Sequence, residues 1–412
     1  MNYNIQTLNN GLRVIHLPSS SPVIYCGYQI AAGTRHELPG EEGLAHFCEH
    51  MTFKGTRRRT ALQIINALEG VGGELNAFTT KEDTVYYAAV MNNHLTDAID
   101  VLTDIVFNSQ YPQAEIDKEV EVICDEIESY NDSPAELIYD DFENLIFQDH
   151  PLGHNILGEA DQLRRYTSAD ALRFVGRCYQ PANAIFFAYG SLDFKRLVKR
   201  LEHMADNCRP RAVQSFTLAS PEGEYDAPAR IVRDRGTHQA HVMIGTKAYD
   251  IHHPNRMALY LLNNILGGPG LNSRFNLSLR EKHGLVYTVE SSMVNYSDTG
   301  IWSVYFGCDH KDVKRCCQLV RRELDAVMNK PLSKTRLAAA KQQIKGQIAI
   351  ACDSREQFAL DFGKSFLHYG WEKDVDRLFR NIDALTAAQL QQVARELFVP
   401  ERLTTLIYQD NE

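Results

Sequence analysis

The sequence predicts an α+β protein built from two similar domains, and three observations lead there. At 412 residues the chain is long for one domain, and two of about 200 residues each are the ordinary expectation. A stretch from Asn207 to Pro228 carries Pro210, Pro221 and Pro228 with Ser, Gly and Glu between them, which marks a linker. On both sides of it the pattern runs strands, helices, strands, helices. We therefore divide the chain into domains 1–208 and 229–412 joined by a linker at 209–228.

Each element follows from its residues. Ile5–Leu8 and Leu12–Ile15 flank Asn9-Asn10-Gly11, a hairpin signature. Val23–Ile30 reads as a strand. Leu44, Phe47 and Met51 recur at helical spacing, with Gly55 as a stop. Ala61–Val71 is a helix ended by Gly72-Gly73. Leu75–Val90, rich in Thr, Tyr, Val and Phe, gives one or two strands, and His94–Val106 a helix. Ala114–Tyr130 is an amphipathic helix whose apolar stripe is Ile116, Val120, Ile123 and Ile127. Ala184–Tyr189 is an apolar run of buried-strand type. Ala240–Gly245 restarts the alternation after the linker.

Composition narrows the function. Hydrophobic residues at 44% and charged residues at 23% are ordinary for a globular chain. A net charge of −10 without a long basic run argues against nucleic acid as a partner. No apolar stretch of about 18 residues predicts a membrane span, and the first residues lack the basic-then-apolar pattern of a signal peptide. Nine cysteines without C-x-x-C spacing argue against a disulfide or structural-zinc framework and fit a reducing cytoplasm. Cys48 is read as packing.

One motif carries the chemistry. Residues 46–50 read His-Phe-Cys-Glu-His. On a helix His46 and His50 stack on one face and can share a metal ion. Glu49 lies at the edge of that face, within reach of a water on the metal. This H-x-x-E-H order mirrors the H-E-x-x-H zinc peptidase motif. Two His leave a catalytic zinc one protein ligand short. The helix 114–130 offers two co-facial acidic pairs, Glu119/Glu126 and Glu121/Glu128, between which periodicity does not choose. His238-x-x-His241 and His252-His253 lack a third ligand at recognisable spacing and are read as surface or core residues, and the sequence assigns no role to His150 or His154.

Five ordered stretches extend the motif: Gly43–Thr56, Leu75–Thr84, Glu119–Glu128, His150–Gly158 and Leu279–Tyr287. Together they resemble the pitrilysin/insulinase family of inverted zinc metallopeptidases, and within it the mitochondrial processing peptidase and its bacterial relatives. The resemblance implies two domains, each a mainly antiparallel β-sheet packed with helices, as in processing peptidase subunits. It implies one Zn2+ per chain held by His46, His50 and Glu126, with Glu119 supporting the site and Glu49 as general base. Arg280 and Tyr287 match a pair that reaches the substrate opposite the zinc and stabilises the developing oxyanion. Asn76, Ala77, Phe78 and Thr79 match an edge strand that pairs with bound peptide. Gly267-Gly268-Pro269-Gly270 stands where relatives carry a glycine-rich loop and follows no phosphate-binding pattern.

Long family members carry about twice this length in one polypeptide, with the zinc motif and the Arg/Tyr pair in opposite halves. The resemblance therefore implies a homodimer enclosing a chamber, with Arg280 and Tyr287 serving the partner's zinc. The expected activity is that of an endopeptidase or oligopeptidase on peptides and unfolded segments. The alternatives are a processing peptidase that removes leader or targeting segments, a subunit that pairs with another family member, and a non-catalytic scaffold.

Overall fold

The computed structural model describes residues 2–205 and 229–410, and these form two compact units. The first unit takes residues 2–128, 154–205 and 351–373, and the second takes 129–153, 229–350 and 374–410. The units are thus not the sequence halves 1–208 and 229–412: one segment of each half belongs with the other half's unit. The expected linker, 209–228, lies outside the described residues.

In the first unit the strands are β1 (Asn4–Thr7), β2 (Arg13–Pro18), β3 (Val23–Ile30), β4 (Glu74–Thr79), β5 (Thr84–Met91) and β6 (Ala184–Gly190). They form one sheet in the order β1-β2-β6-β3-β5-β4. The expected hairpin is present, with Ile5 opposite Ile15. Gly11 turns it with φ of 89°, a conformation that only glycine adopts readily. Every neighbouring pair is antiparallel except β2 with β6. One face of the sheet packs on α1 (Leu44–Thr52), α2 (Ala61–Glu69), α3 (Leu95–Asn108) and α4 (Gln113–Asn131).

The helix Arg355–Tyr369 covers the other face. Gln29 donates to the Leu360 carbonyl at 2.9 Å, the rings of Phe187 and Phe362 meet edge to face, and Arg13 donates to the Phe366 and Leu367 carbonyls. A sheet whose strands are apolar on both faces needs such a second cover, and here it comes from late in the chain.

The second unit has β7 (Arg230–Arg233), β8 (Ala240–Ala248), β9 (Val286–Asn295), β10 (Gly300–Cys308) and β11 (Thr404–Tyr408), ordered β7-β11-β8-β10-β9. Helix α5 (Pro134–Ile146) packs Ile138, Phe142 and Ile146 against Met243, Leu406 and Tyr408. It is fixed there by Asp141, which accepts from the Tyr408 hydroxyl at 2.6 Å and from Arg233 and Arg235. This contact explains why residues 129–153 leave the first unit.

The two sheets repeat one topology. Numbered in chain order from β2 and from β7, both run first-fifth-second-fourth-third, and in both the only parallel pair is first with fifth. The duplication suggested by the strand and helix pattern is therefore explicit in the strand order. Among the described residues no helix is long and apolar enough to cross a membrane.

Two glycines set where α1 begins. Gly43 caps it with φ of 86°, and Gly158 faces it with φ of 72°. A Cβ on Gly43 would lie 2.7 Å from the Gly158 Cα and 2.8 Å from the Leu157 carbonyl oxygen. Gly43→Ala should therefore lower stability to urea by about 1–3 kcal/mol, the usual cost of overpacking. Unchanged stability would show that this approach does not constrain the helix.

Candidate active site

Helix α1 divides its residues by face. Leu44, Ala45, Phe47, Cys48 and Met51 are wholly buried in the first unit's core, so Cys48 packs as expected. Burying a Leu, Phe or Met side chain contributes about 1.5–3 kcal/mol. Three such anchors outweigh the cost of partly drying the opposite face, which presents His46, Glu49 and His50. The N-terminus is capped by Glu37, whose carboxylate accepts from the Gly43 N–H at 3.0 Å and the Ala45 N–H at 2.7 Å. His154 Nε2 meets the same carboxylate at 2.8 Å. Burial pushes the Glu37 carboxyl up to about 7 despite these partners.

Helix α4 lies opposite. Its stripe of Ile116, Val120, Ile123 and Ile127 is buried, which turns Glu119 and Glu126 toward α1. Glu126 Oε1 is 3.9 Å from His46 Nε2, and Glu126 Oε2 is 3.5 Å from His50 Nε2. One ligand atom from each of the three residues lies within 4.8 Å of the others. Ligands about 2.1 Å from a tetrahedral zinc are roughly 3.4 Å apart, so the three atoms need only a small contraction to share one ion. In the other acidic pair, Glu121 instead forms a two-pronged surface ion pair with Arg164.

The protonation states suit ligation. Burial, reinforced by His50, pushes His46 down to about 3, so its imidazole stays neutral. His50 Nδ1 is 3.2 Å from Glu119 Oε1. A carboxylate only accepts, so Nδ1 carries the proton and Nε2 keeps its lone pair for a metal. Burial opposes charge on His50, but Glu119, Glu49 and Glu126 outweigh it and raise its pKa. Burial also acts upward on Glu119, yet His50 and Lys54, whose Nζ is 2.6 Å away, hold that carboxylate below its ordinary value.

Glu49 is poised differently. Burial raises its pKa, Glu126 adds to the rise, and Thr79 and His50 offset it only in part. The Thr79 hydroxyl donates to Glu49 Oε2 at 2.5 Å. Thr79 ends β4, an edge strand whose one strand neighbour among the described residues is β5. The turn after it is bolted down. Thr80 Oγ1 donates to Asp83 at 2.6 Å, and the Arg35 N–H donates to the Lys81 carbonyl at 2.8 Å. The Arg35 side chain forms a buried ion pair with Glu82.

Profiles of known families match most of the chain. "Insulinase (Peptidase family M16)" covers residues 13–160 and "Peptidase M16 inactive domain" covers residues 165–344. A protein named uncharacterized zinc protease YmxG, from Bacillus subtilis, is 30% identical over 97% of this chain and 97% of its own. The chain belongs to peptidase family M16. An uncharacterized zinc protease of Streptomyces coelicolor is 34% identical over 95% of this chain and 86% of its own. A protease from Helicobacter pylori has the same fold, with a TM-score of 0.91 at 22% identity over 99% of each chain.

In this M16 chain the first unit brings together His46, Glu49, His50, Glu119, Glu126 and Thr79. Asn76, Ala77 and Phe78 precede Thr79 on the same edge strand. The second unit brings Arg280 within 5.6 Å of the Tyr287 ring centre, in cation–π geometry. Arg280 sits in a π-helical turn, Asn276–Glu281, closed by Gly284, whose N–H donates to the Arg280 carbonyl at 2.8 Å. Tyr287 is the second residue of edge strand β9 and is 82% exposed.

Three supporting residues, Lys54, Glu37 and His154, and one side-chain role, that of the Thr79 hydroxyl, are not assigned by the sequence. Lys54 follows His50 by one helical turn, which was a readable signal. Glu37 and His154 act through a cap distant in sequence, which no local pattern signals. Thr79 was expected for its backbone alone, and its hydroxyl bond to Glu49 is an addition to that expectation.

Metal affinity tests the His50–Glu119 contact. Protons compete with a metal for His50, so affinity falls as pH drops through its raised pKa. Glu119→Gln removes the partner that raises it. Chelator competition should show affinity reduced about 10–100-fold at alkaline pH, with the acid fall-off displaced to lower pH. An unchanged pH profile would mean that Glu119 does not act on His50.

Proposed function

We propose that the chain is a zinc-dependent endopeptidase that hydrolyses peptides and unfolded segments. The observation that carries this reading is the meeting of three ligand atoms beside a carboxylate that is buried, raised in pKa and oriented by a hydroxyl. His46, His50 and Glu126 would hold the zinc. When bound, zinc supplies Lewis-acid polarisation of a carbonyl and acidifies a water.

The chain's own residues supply the rest. Thr79 occupies Glu49 Oε2, leaving Oε1 to take the proton of the attacking water and return it to the departing amine. A pKa above the ordinary carboxylate range suits a group that must both accept and release a proton near neutrality. The free edge of β4 offers Asn76–Thr79 to an extended peptide through backbone pairing, which fixes a substrate without reading its sequence. Arg280 and Tyr287 supply donors to the oxygen that gains charge. In this reading the pair serves the zinc site of a second copy, and the homodimer encloses the reacting peptide.

A cytoplasmic setting fits the eight described cysteines, all free thiols. The full set of ligands and proton-transfer groups weighs against a scaffold role. The open strand edge favours broad peptide turnover over removal of one defined leader.

Mixing variants tests the shared site. Glu49→Gln homodimers should lose about 10²–10⁴-fold in turnover of quenched fluorescent peptides, and Tyr287→Phe homodimers should also be impaired. Co-assembled subunits should regain activity, because one composite site then holds both intact residues. Mixed dimers no more active than the variant homodimers would rule out sites shared in trans.

A further inference from the structure

The second unit holds a cavity of about 490 Å³ that the proposed peptidase chemistry does not use. Two serines line it, and both carry buried hydroxyls with no hydrogen-bond partner: Ser273, 3% exposed, and Ser278, 6% exposed. Buried hydroxyls are normally paired, and an unpaired one calls for an explanation. The rim carries Lys282, Arg322 and Arg336, all exposed and, among the described residues, in no ion pair. A fourth cation, Arg274, is neutralised by Glu323 at 2.9 Å. Three unpaired cations converging on one cavity are notable in a chain of net charge −10.

We infer that this cavity binds a phosphorylated small molecule. Two hydroxyls and three cationic groups offer more donors than a carboxylate's two oxygens use well. They match the three terminal oxygens and near-double negative charge of a phosphoryl group. The cavity is also larger than a bare phosphate. Leu277, 48% exposed at its edge, together with Leu332 and Ala340, gives it an apolar wall suited to the ligand's organic body. A rotamer step at Ser273 or Ser278 turns the hydroxyl toward the anion.

Calorimetric titration of the full chain at low ionic strength tests this, with phenyl phosphate and inorganic phosphate as probes. One phenyl phosphate should bind per chain, more tightly than inorganic phosphate. Arg322→Ala combined with Arg336→Ala should weaken it at least about tenfold, and Ser278→Ala should weaken it without altering the melting temperature. Lys314→Ala, on the same helix as Arg322 but outside this cavity, should leave it unchanged. Absence of saturable binding would overturn the inference. So would equal affinity for the two probes, or a loss with Lys314→Ala as large as that of the double variant.

Discussion

The site depends on how helix α1 is held. A helix that must present two imidazoles and a carboxylate to a neighbouring helix can stay fixed only if its other face is locked. Leu44, Phe47 and Met51 do that by burial. Glu37 and the close approach of Gly43 to Gly158 fix where the helix begins. A shift along the helix axis of one residue, about 1.5 Å, would take His46 and His50 out of register with Glu126. The cap and the glycine contact therefore belong to the site as much as its ligands do.

Charge is then divided among neighbouring groups by environment. Burial keeps His46 neutral, Glu119 fixes the tautomer of His50, and Lys54 balances Glu119. Glu49 is left with one hydroxyl partner and a raised pKa. Three neighbouring carboxylates thus differ in environment, and the proposed function gives each its own role: Glu126 as ligand, Glu119 as orienting partner and Glu49 as proton carrier. The difference lies in what each touches, not in residue type.

Much of this was legible in the sequence, for identifiable reasons. The spacing of His46, Glu49 and His50 encodes a shared helix face directly. Strand β3 appears with the bounds its apolar run suggested, and α4 within a residue of its predicted ends. Periodicity left Glu119/Glu126 and Glu121/Glu128 equivalent, because both pairs flank one stripe. Only the packing partner, α1 for one pair and Arg164 for Glu121, separates them. The unit boundaries were not legible, because the helix Arg355–Tyr369 joins the first sheet through contacts more than 300 positions away in sequence. The hydroxyl of Thr79 was hidden for a similar reason: its partner is fixed by tertiary placement of a strand end.

Zinc-edge X-ray absorption on the purified chain, with metal stoichiometry, tests the central claim most directly. The account predicts one zinc per chain with nitrogen and oxygen neighbours at about 2.0–2.2 Å, lost in Glu126→Gln and retained in Glu128→Gln. A sulfur neighbour at about 2.3 Å, or zinc retained in full by Glu126→Gln, would contradict it.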